Sequence, residues 1–346
     1  MDTHSTLTNT QGLVISKTTG SYSVQRFLPP SFEIEDPRSE AQGTLALVAK
    51  RSRGSGVGGV RSLTCTLSSR LRPDQVVVGD VVRFLAGQGG AGQIVEVLPR
   101  RNALARRGVA SRPGAHAPQQ VIAANVDQVV PVFAAASPAP RWNLLDRYLA
   151  LAESLELPAL VAITKADLAP TGGEDEFYEV LDEYRRLGYP VALTSAHTGA
   201  GLDALRGALR GRVSVLLGHS GVGKTSLLNA LEPGLGLRVS EVSRATGKGR
   251  HTTNQVQMVP LADVAQGRPA AIIDTPGTRE FGLWDIDGDE LALFFPEMRP
   301  WVGQCKFGLD CRHDEEPGCA IRQAVMAGHI SPRRYQSYAR LRDETA

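Results

Sequence analysis

Long apolar runs are missing from this 346-residue chain, and none reaches the length of a membrane span. The opening stretch, "MDTHSTLTNTQGLVISKTTG", lacks the basic start and apolar core of a signal peptide. Both absences predict a cytoplasmic protein with no membrane partner. Cysteine is scarce as well: four residues cannot build a disulfide framework, and three of them stand close together beside a histidine. That grouping favours a metal site in a reducing compartment. Net charge is almost absent at +2, and no internal repeat is visible.

The small net charge hides an uneven distribution. Between Lys50 and Arg112 the acids are Asp74, Asp80 and Glu96, against Arg51, Arg53, Arg61, Arg70, Arg72, Arg83, Arg100, Arg101, Arg106 and Arg107. A basic region in a near-neutral chain suggests a polyanionic partner for that region. Residues 1–42 are polar and read as a loosely ordered tail. From Gly43 to Arg112, short β-like runs ("TLALVAK", "SLTCTLSSRL", "VVVGDVVRFLA", "GQIVEVLP") separated by glycine turns predict a small closed β domain. Strand pattern alone does not separate an oligonucleotide-binding barrel from an ordinary β domain with solvated arginines.

Over 113–283 strands alternate with helices: "VDQVVPVFAA", "WNLLDRYLALAESLE", "PALVAITKA", "FYEVLDEYRRLG", "PVALTSA", "GLDALRGAL", "RVSVLLG", "KTSLLNALE" and "AAIIDTPG". The alternation predicts a mostly parallel sheet covered on both faces. Within it "GHSGVGKTS" fits G-x-x-x-x-G-K-[ST] at Gly218, Gly223, Lys224 and Thr225, after a buried-type strand and before an amphipathic helix. In such a loop the backbone N–H groups of Ser220, Gly221, Val222, Gly223 and Ser226 and the start of the helix cradle phosphates. Lys224 reaches the β and γ phosphates and Thr225 ligates Mg²⁺. "DTPG" places Asp274 at a strand end to hold the same Mg²⁺ and the Gly277 amide at the γ phosphate.

"VAITKADL" resembles the guanine-reading motif of GTPases, with Thr164 where Asn is usual. A carboxylate at Asp167 accepts two hydrogen bonds from guanine that adenine does not offer. Lys165 lies along the base plane in this reading, and "TSAHTG", with Ser195 and Ala196, resembles the second base-contacting loop, Ala196 N–H meeting the guanine O6. Thr164 tethers its loop through one hydroxyl and cannot reproduce both amide hydrogen bonds. The motifs run base, base, phosphate, switch, magnesium, whereas ordinary GTPases begin with the phosphate loop.

That order, with "VVVGDVV", "IVEVLPRRNALARR", "ANVDQV", "LLDRYL", "GRHTT" and "DTPGTREFGLW", resembles the circularly permuted, small-ribosomal-subunit-dependent GTPases of bacteria, the RsgA (YjeQ) family. The resemblance implies a multidomain chain: an oligonucleotide-binding (OB-fold) barrel over 43–112, an α/β P-loop GTPase domain over 113–283, and an α-rich zinc domain over 284–346. It implies GTP hydrolysis late in small-subunit maturation, with rRNA and GTP or GDP as partners and a monomeric state. Thr253 would coordinate Mg²⁺ and His251 would orient the attacking water, although a lone loop histidine is otherwise a solvated one. Residue 278 is Thr, not the glutamine that positions water in Ras-like enzymes.

In "CKFGLDCRHDEEPGC", Cys305, Cys311, His313 and Cys319 supply the ligand count of a closed structural zinc site. The gap from Cys305 to Cys311 is one residue longer than the family pattern. Cys65 reads as a buried small residue. Arg322, Arg333, Arg334, Arg340 and Arg342, interleaved with Tyr335 and Tyr338, fit either a solvated helix face or an RNA-facing one. Two other readings stay open: an RNA-binding module in which bound nucleotide is structural, and an ATP-using P-loop enzyme.

Overall fold

The computed structural model describes residues 9–26, 62–107, 119–171, 176–237, 256–265, 268–275 and 288–345. "TLALVAK", His251, Thr253 and Gly277 lie outside them.

Five strands close a barrel: β1 (Asn9–Thr18), β2 (Ser21–Arg26), β3 (Ser62–Leu67), β4 (Val81–Ala86) and β5 (Ala91–Val97). They run β1-β2-β3-β5-β4, and β4 pairs back onto β1. All these pairs are antiparallel except β3 with β5. This is the expected OB-type barrel, with one correction: residues 9–26, expected in a loose tail, are its first two strands. Their polar sequence hid an alternation in which Val14, Tyr22 and Val24 point inward to meet Cys65, Val82, Phe84 and Ile94. Ser and Thr on the other face suit a strand with one wet side.

A ribbon of β6 (Ala103–Arg107) and β7 (Gln119–Ala124) links the barrel to the larger domain. Gly79, at φ +91°, makes this junction possible, because a Cβ there would stand 2.1 Å from the Ala124 carbonyl oxygen. The fully buried Asp80 then clamps Arg100 through two hydrogen bonds of 2.7 and 2.9 Å and accepts a third from Val77 N–H.

The larger sheet contains β8 (Gln128–Ala134), β9 (Val161–Thr164), β10 (Val191–Leu193), β11 (Val213–Leu217), β12 (Gln257–Ala265) and β13 (Arg268–Asp274). Across it the order is β10-β9-β8-β11-β13-β12, parallel throughout except for β12. Counted from the phosphate-loop strand β11 as first, that order reads 6-5-4-1-3-2, so the odd motif order is a rotated connectivity on one sheet. Every residue of β8 is buried, and successive side chains feed opposite cores. Val129 and Phe133 meet α1 (Trp142–Ser154) and α2 (Glu176–Arg186). Val130 and Val132 meet α3 (Leu202–Leu209) and α4 (Lys224–Leu231).

Among the described residues, barrel and sheet pair through one register, Ser16 opposite Gln257. The C-terminal part, short 3-10 turns with α5 (Ala320–Met326) and α6 (Pro332–Thr345), packs Phe295, Met298, Ile321, Tyr338 and Leu341 into the α1–α2 core. Among the described residues, no helix is long and apolar enough to cross a membrane.

Candidate functional site

The phosphate loop leaves β11 and enters α4 as the pattern requires. Gly218 passes so close to β8 that a Cβ would lie 2.4 Å from Val132 O, and Gly223 caps α4 at φ +90°. Lys224 Nζ folds back on the loop, donating to the carbonyls of Gly218 and, at 3.2 Å, His219. Burial pushes its ammonium pKa down and the Asp274 charge opposes that shift. Asp274 is itself buried at the end of β13, in register with Leu216 of β11 and Gln257 of β12. Thr225 is the second residue of α4, directly after Lys224.

The base side is built from the ends of β9 and β10. Thr164 Oγ1 lies against the carbonyls of Val222 and, at 3.2 Å, Phe133. A hydroxyl has one proton to donate, so at any instant it ties β9 either to the phosphate loop or to β8. Lys165, at φ +54°, reaches the Ser137 carbonyl and, at 3.0 Å, that of Gly221. Asp167 accepts from Ser195 Oγ at 2.5 Å, and this bond is the main cause of a carboxyl pKa held below the usual range. Ser195 Oγ in turn accepts from the N–H groups of His197 and Thr198. Between these pieces lies a cavity of about 410 Å³ lined by Thr164, Lys165, Asp167, Ala196, Gly223 and Ser226, together with Leu168, His197 and Leu227. The last three were not singled out from sequence. Their signal was adjacency: Leu168, His197 and Leu227 each follow a recognised residue directly.

The C-terminal cysteines do come together. Cys305, Cys311, His313 and Cys319 are all buried, with ligand atoms within 4.8 Å of one another. Cys305 Sγ is 3.4 Å from His313 Nδ1 and 3.9 Å from Cys319 Sγ, and Cys319 Sγ is 3.6 Å from His313 Nδ1. A tetrahedron with metal–sulfur bonds of about 2.3 Å has edges of about 3.8 Å, so the cluster can hold a metal. Burial also pushes the Cys311 thiol up to about 12, a state that a cation would reverse. Cys65 is buried in the barrel as expected.

The arginines need a correction. Arg333, Arg334 and Arg342 do not form an RNA-facing row. Arg334, 1 % exposed, donates to Asp146 at 2.6 Å and to both oxygens of Glu297. Arg333 donates to Asp146, Glu183 and the Tyr184 hydroxyl, and Arg342 to the Arg312 carbonyl and Asp343. Arg322 and Arg340 are exposed. In the barrel region Arg70 and Arg72 are exposed, and Arg72, Arg83, Arg100 and Arg101 face Asp74, Glu96, Asp80 and Asp127.

The RsgA GTPase family model matches residues 97–284. The chain is 46% identical over 272 residues to a small ribosomal subunit biogenesis GTPase RsgA of Gemmatimonas aurantiaca, covering 78% of this chain and 84% of that one. It is 44% identical over 263 residues to the Pseudomonas aeruginosa protein of the same name, covering 76% and 74%. Two crystal structures are similar in fold, each with a TM-score of 0.65. YjeQ from Thermotoga maritima shares 29% identity over 98% of this chain and 99% of its own. YloQ, a circularly permuted GTPase, shares 28% over 100% and 98%. With a P-loop beside a cavity on a rotated sheet, these matches establish that the chain belongs to the RsgA GTPase family, enzymes that hydrolyse GTP.

Proposed function

We propose that the cavity binds the guanine of GTP, and that the chain hydrolyses GTP on the small ribosomal subunit during its maturation. The observation that carries the reading is the double tie between base and phosphate sides. Thr164 and Lys165 both reach carbonyls of the phosphate loop, so the cavity beside Asp167 opens onto Gly223. The Asp167 carboxylate accepts from the guanine N1–H and exocyclic amine, while the stretched Lys165 stem lies along the ring. Ser195 fixes the carboxylate, and Ala196 N–H meets O6. Adenine would leave Asp167 unpaired, which argues against an ATP enzyme.

At the other end, the loop amides from Ser220 to Ser226 and the Lys224 ammonium receive the phosphates as the lysine exchanges its carbonyl partners for them. Thr225 and Asp274, with Thr253, would hold Mg²⁺, which supplies positive charge to the β and γ oxygens. Water attacks the γ phosphorus in line, its bond to the bridging oxygen breaks, and GDP and phosphate leave. By family resemblance His251 orients that water and the Gly277 amide senses the γ phosphate. The Cys₃His cluster takes a structural Zn²⁺, because four protein ligands leave no open position. Exposed Arg70 and Arg72 make the barrel a surface for rRNA.

GTP and ATP turnover, with and without purified small subunits, tests this reading. We expect GTP turnover to rise severalfold with small subunits and ATP to be ignored. Asp167→Asn should shift preference from guanine to xanthine nucleotides. If small subunits leave GTP turnover unchanged, ribosome coupling is wrong.

A further inference from the structure

Behind the cavity, the base side and the phosphate side are braced again through α3 and α4, beyond the tie that Thr164 and Lys165 make. The base-side loop closes on itself: Ser195 N donates to Ala200 O at 3.0 Å, and Gly199 N to Ser195 O at 2.9 Å. Gly201 then starts α3 at φ +71°, so tightly against β10 that a Cβ would stand 1.9 Å from Leu193 O. The position of α3 is thereby tied to that of the loop. On the other side, α4 starts at the phosphate loop, and its Leu227, Leu228 and Leu231 share a core with Leu202, Leu205 and Leu209 of α3.

Apolar attraction is non-directional, so these leucines alone leave one helix free to slide along the other. Arg206 supplies the direction. From α3 its Nε donates to Leu231 O at 3.1 Å and its Nη2 to Ala230 O at 2.7 Å, the last two carbonyls of α4. Those carbonyls have no helical N–H to receive, and a planar guanidinium serves both at a fixed spacing. Its third contact, to Asp203 at 2.6 Å, involves an almost fully exposed carboxylate and adds little. The same end of α4 is held from beyond by Asn229, whose side chain donates to Leu237 O at 2.8 Å and accepts from Leu237 N at 2.9 Å. We infer that Arg206, which stands outside the cavity, is a positioning residue for GTP: it sets the separation of the base and phosphate loops and strengthens only ligands that span both. The inference rests on the cavity being the guanine site.

A ligand that bridges two subsites gains from their being held at the right separation, whereas a fragment in one subsite does not. GDP, guanosine and inorganic pyrophosphate are therefore titrated separately into the full-length chain and into Arg206→Ala. We expect Arg206→Ala to bind GDP about fivefold more weakly and both fragments as before. Arg206→Lys, which keeps a charged donor, should recover most of the loss. Arg206→Gln, whose amide can serve one carbonyl, carries the same comparison if Arg206→Ala does not fold. Should either fragment weaken by the same factor as GDP, Arg206 supports one loop only; should GDP binding stay unchanged, it merely caps α4. Either result overturns the proposal. A wild-type chain that takes ADP and adenosine as readily as GDP and guanosine overturns the guanine reading instead, whatever Arg206 does.

Discussion

Thr164 shows how one atom can replace part of a longer side chain. The usual Asn has two N–H donors for two loops, whereas the Thr hydroxyl faces the Val222 and Phe133 carbonyls with a single proton. Thr164→Val should leave both carbonyls short of a donor, at about 1 kcal/mol, or roughly fivefold weaker GDP binding by titration. Thr164→Ser should bind as wild type. Ser195 is read through pH instead. Its hydroxyl is the largest cause of the lowered Asp167 pKa, so guanine recognition persists above that lowered value and fails as pH falls through it. Ser195→Ala should return the carboxyl towards its ordinary range and move the acid limb of GDP affinity to higher pH. An unmoved limb would assign Ser195 to loop support alone. Both roles were partly legible, because Asp167, Thr164 and Ser195 sit in recognisable strings. Hydroxyl partners were not, since Val222 lies 58 residues from Thr164 in the chain.

Among the elements, α6 departs most from its sequence reading. Its arginines recur with tyrosines as in an RNA-binding helix, but the acids that neutralise them, Asp146, Glu183 and Glu297, lie far upstream. Periodicity reveals that a helix has a charged face, and only tertiary contact reveals whether water or a carboxylate receives it. Burial pushes the Arg334 guanidinium pKa down, yet Asp146 and Glu297 outweigh it and the net shift is upward. Breaking such a pair costs about 3–5 kcal/mol, mostly from stranding the remaining charge. Arg334→Met should therefore lower the unfolding midpoint markedly, and adding Glu297→Leu should recover part of the loss. Arg340→Ala, on an exposed residue, should change stability by no more than about 0.5 kcal/mol. Thermal unfolding of the three variants at neutral pH checks the order. The first two barrel strands were missed for the opposite reason: their inward Val14, Tyr22 and Val24 are too sparse to stand out in a polar run.

At the scale of the whole molecule, the rotated chain order fixes which half of the GTPase each flanking domain holds. The C-terminal domain follows Asp274 in sequence, which suggests a domain moved by the nucleotide, but its Arg333 and Arg334 dock it on α1 and α2, the half that carries the proposed base cavity. The barrel does the reverse. Ser16 of β1 pairs with Gln257 of β12, Gln257 is in register with Asp274, and Asp274 with Leu216 below the phosphate loop. Four residues in a row thus lead from the barrel edge to the strand of the phosphate loop. Exchange of GDP for a non-hydrolysable GTP analogue should therefore alter amide hydrogen exchange in β1 and β12 by severalfold while leaving α6 unchanged. Equal changes in both domains would mean that the sheet moves as one body; a change confined to α6 would reverse the assignment and make the C-terminal domain the one that senses the nucleotide.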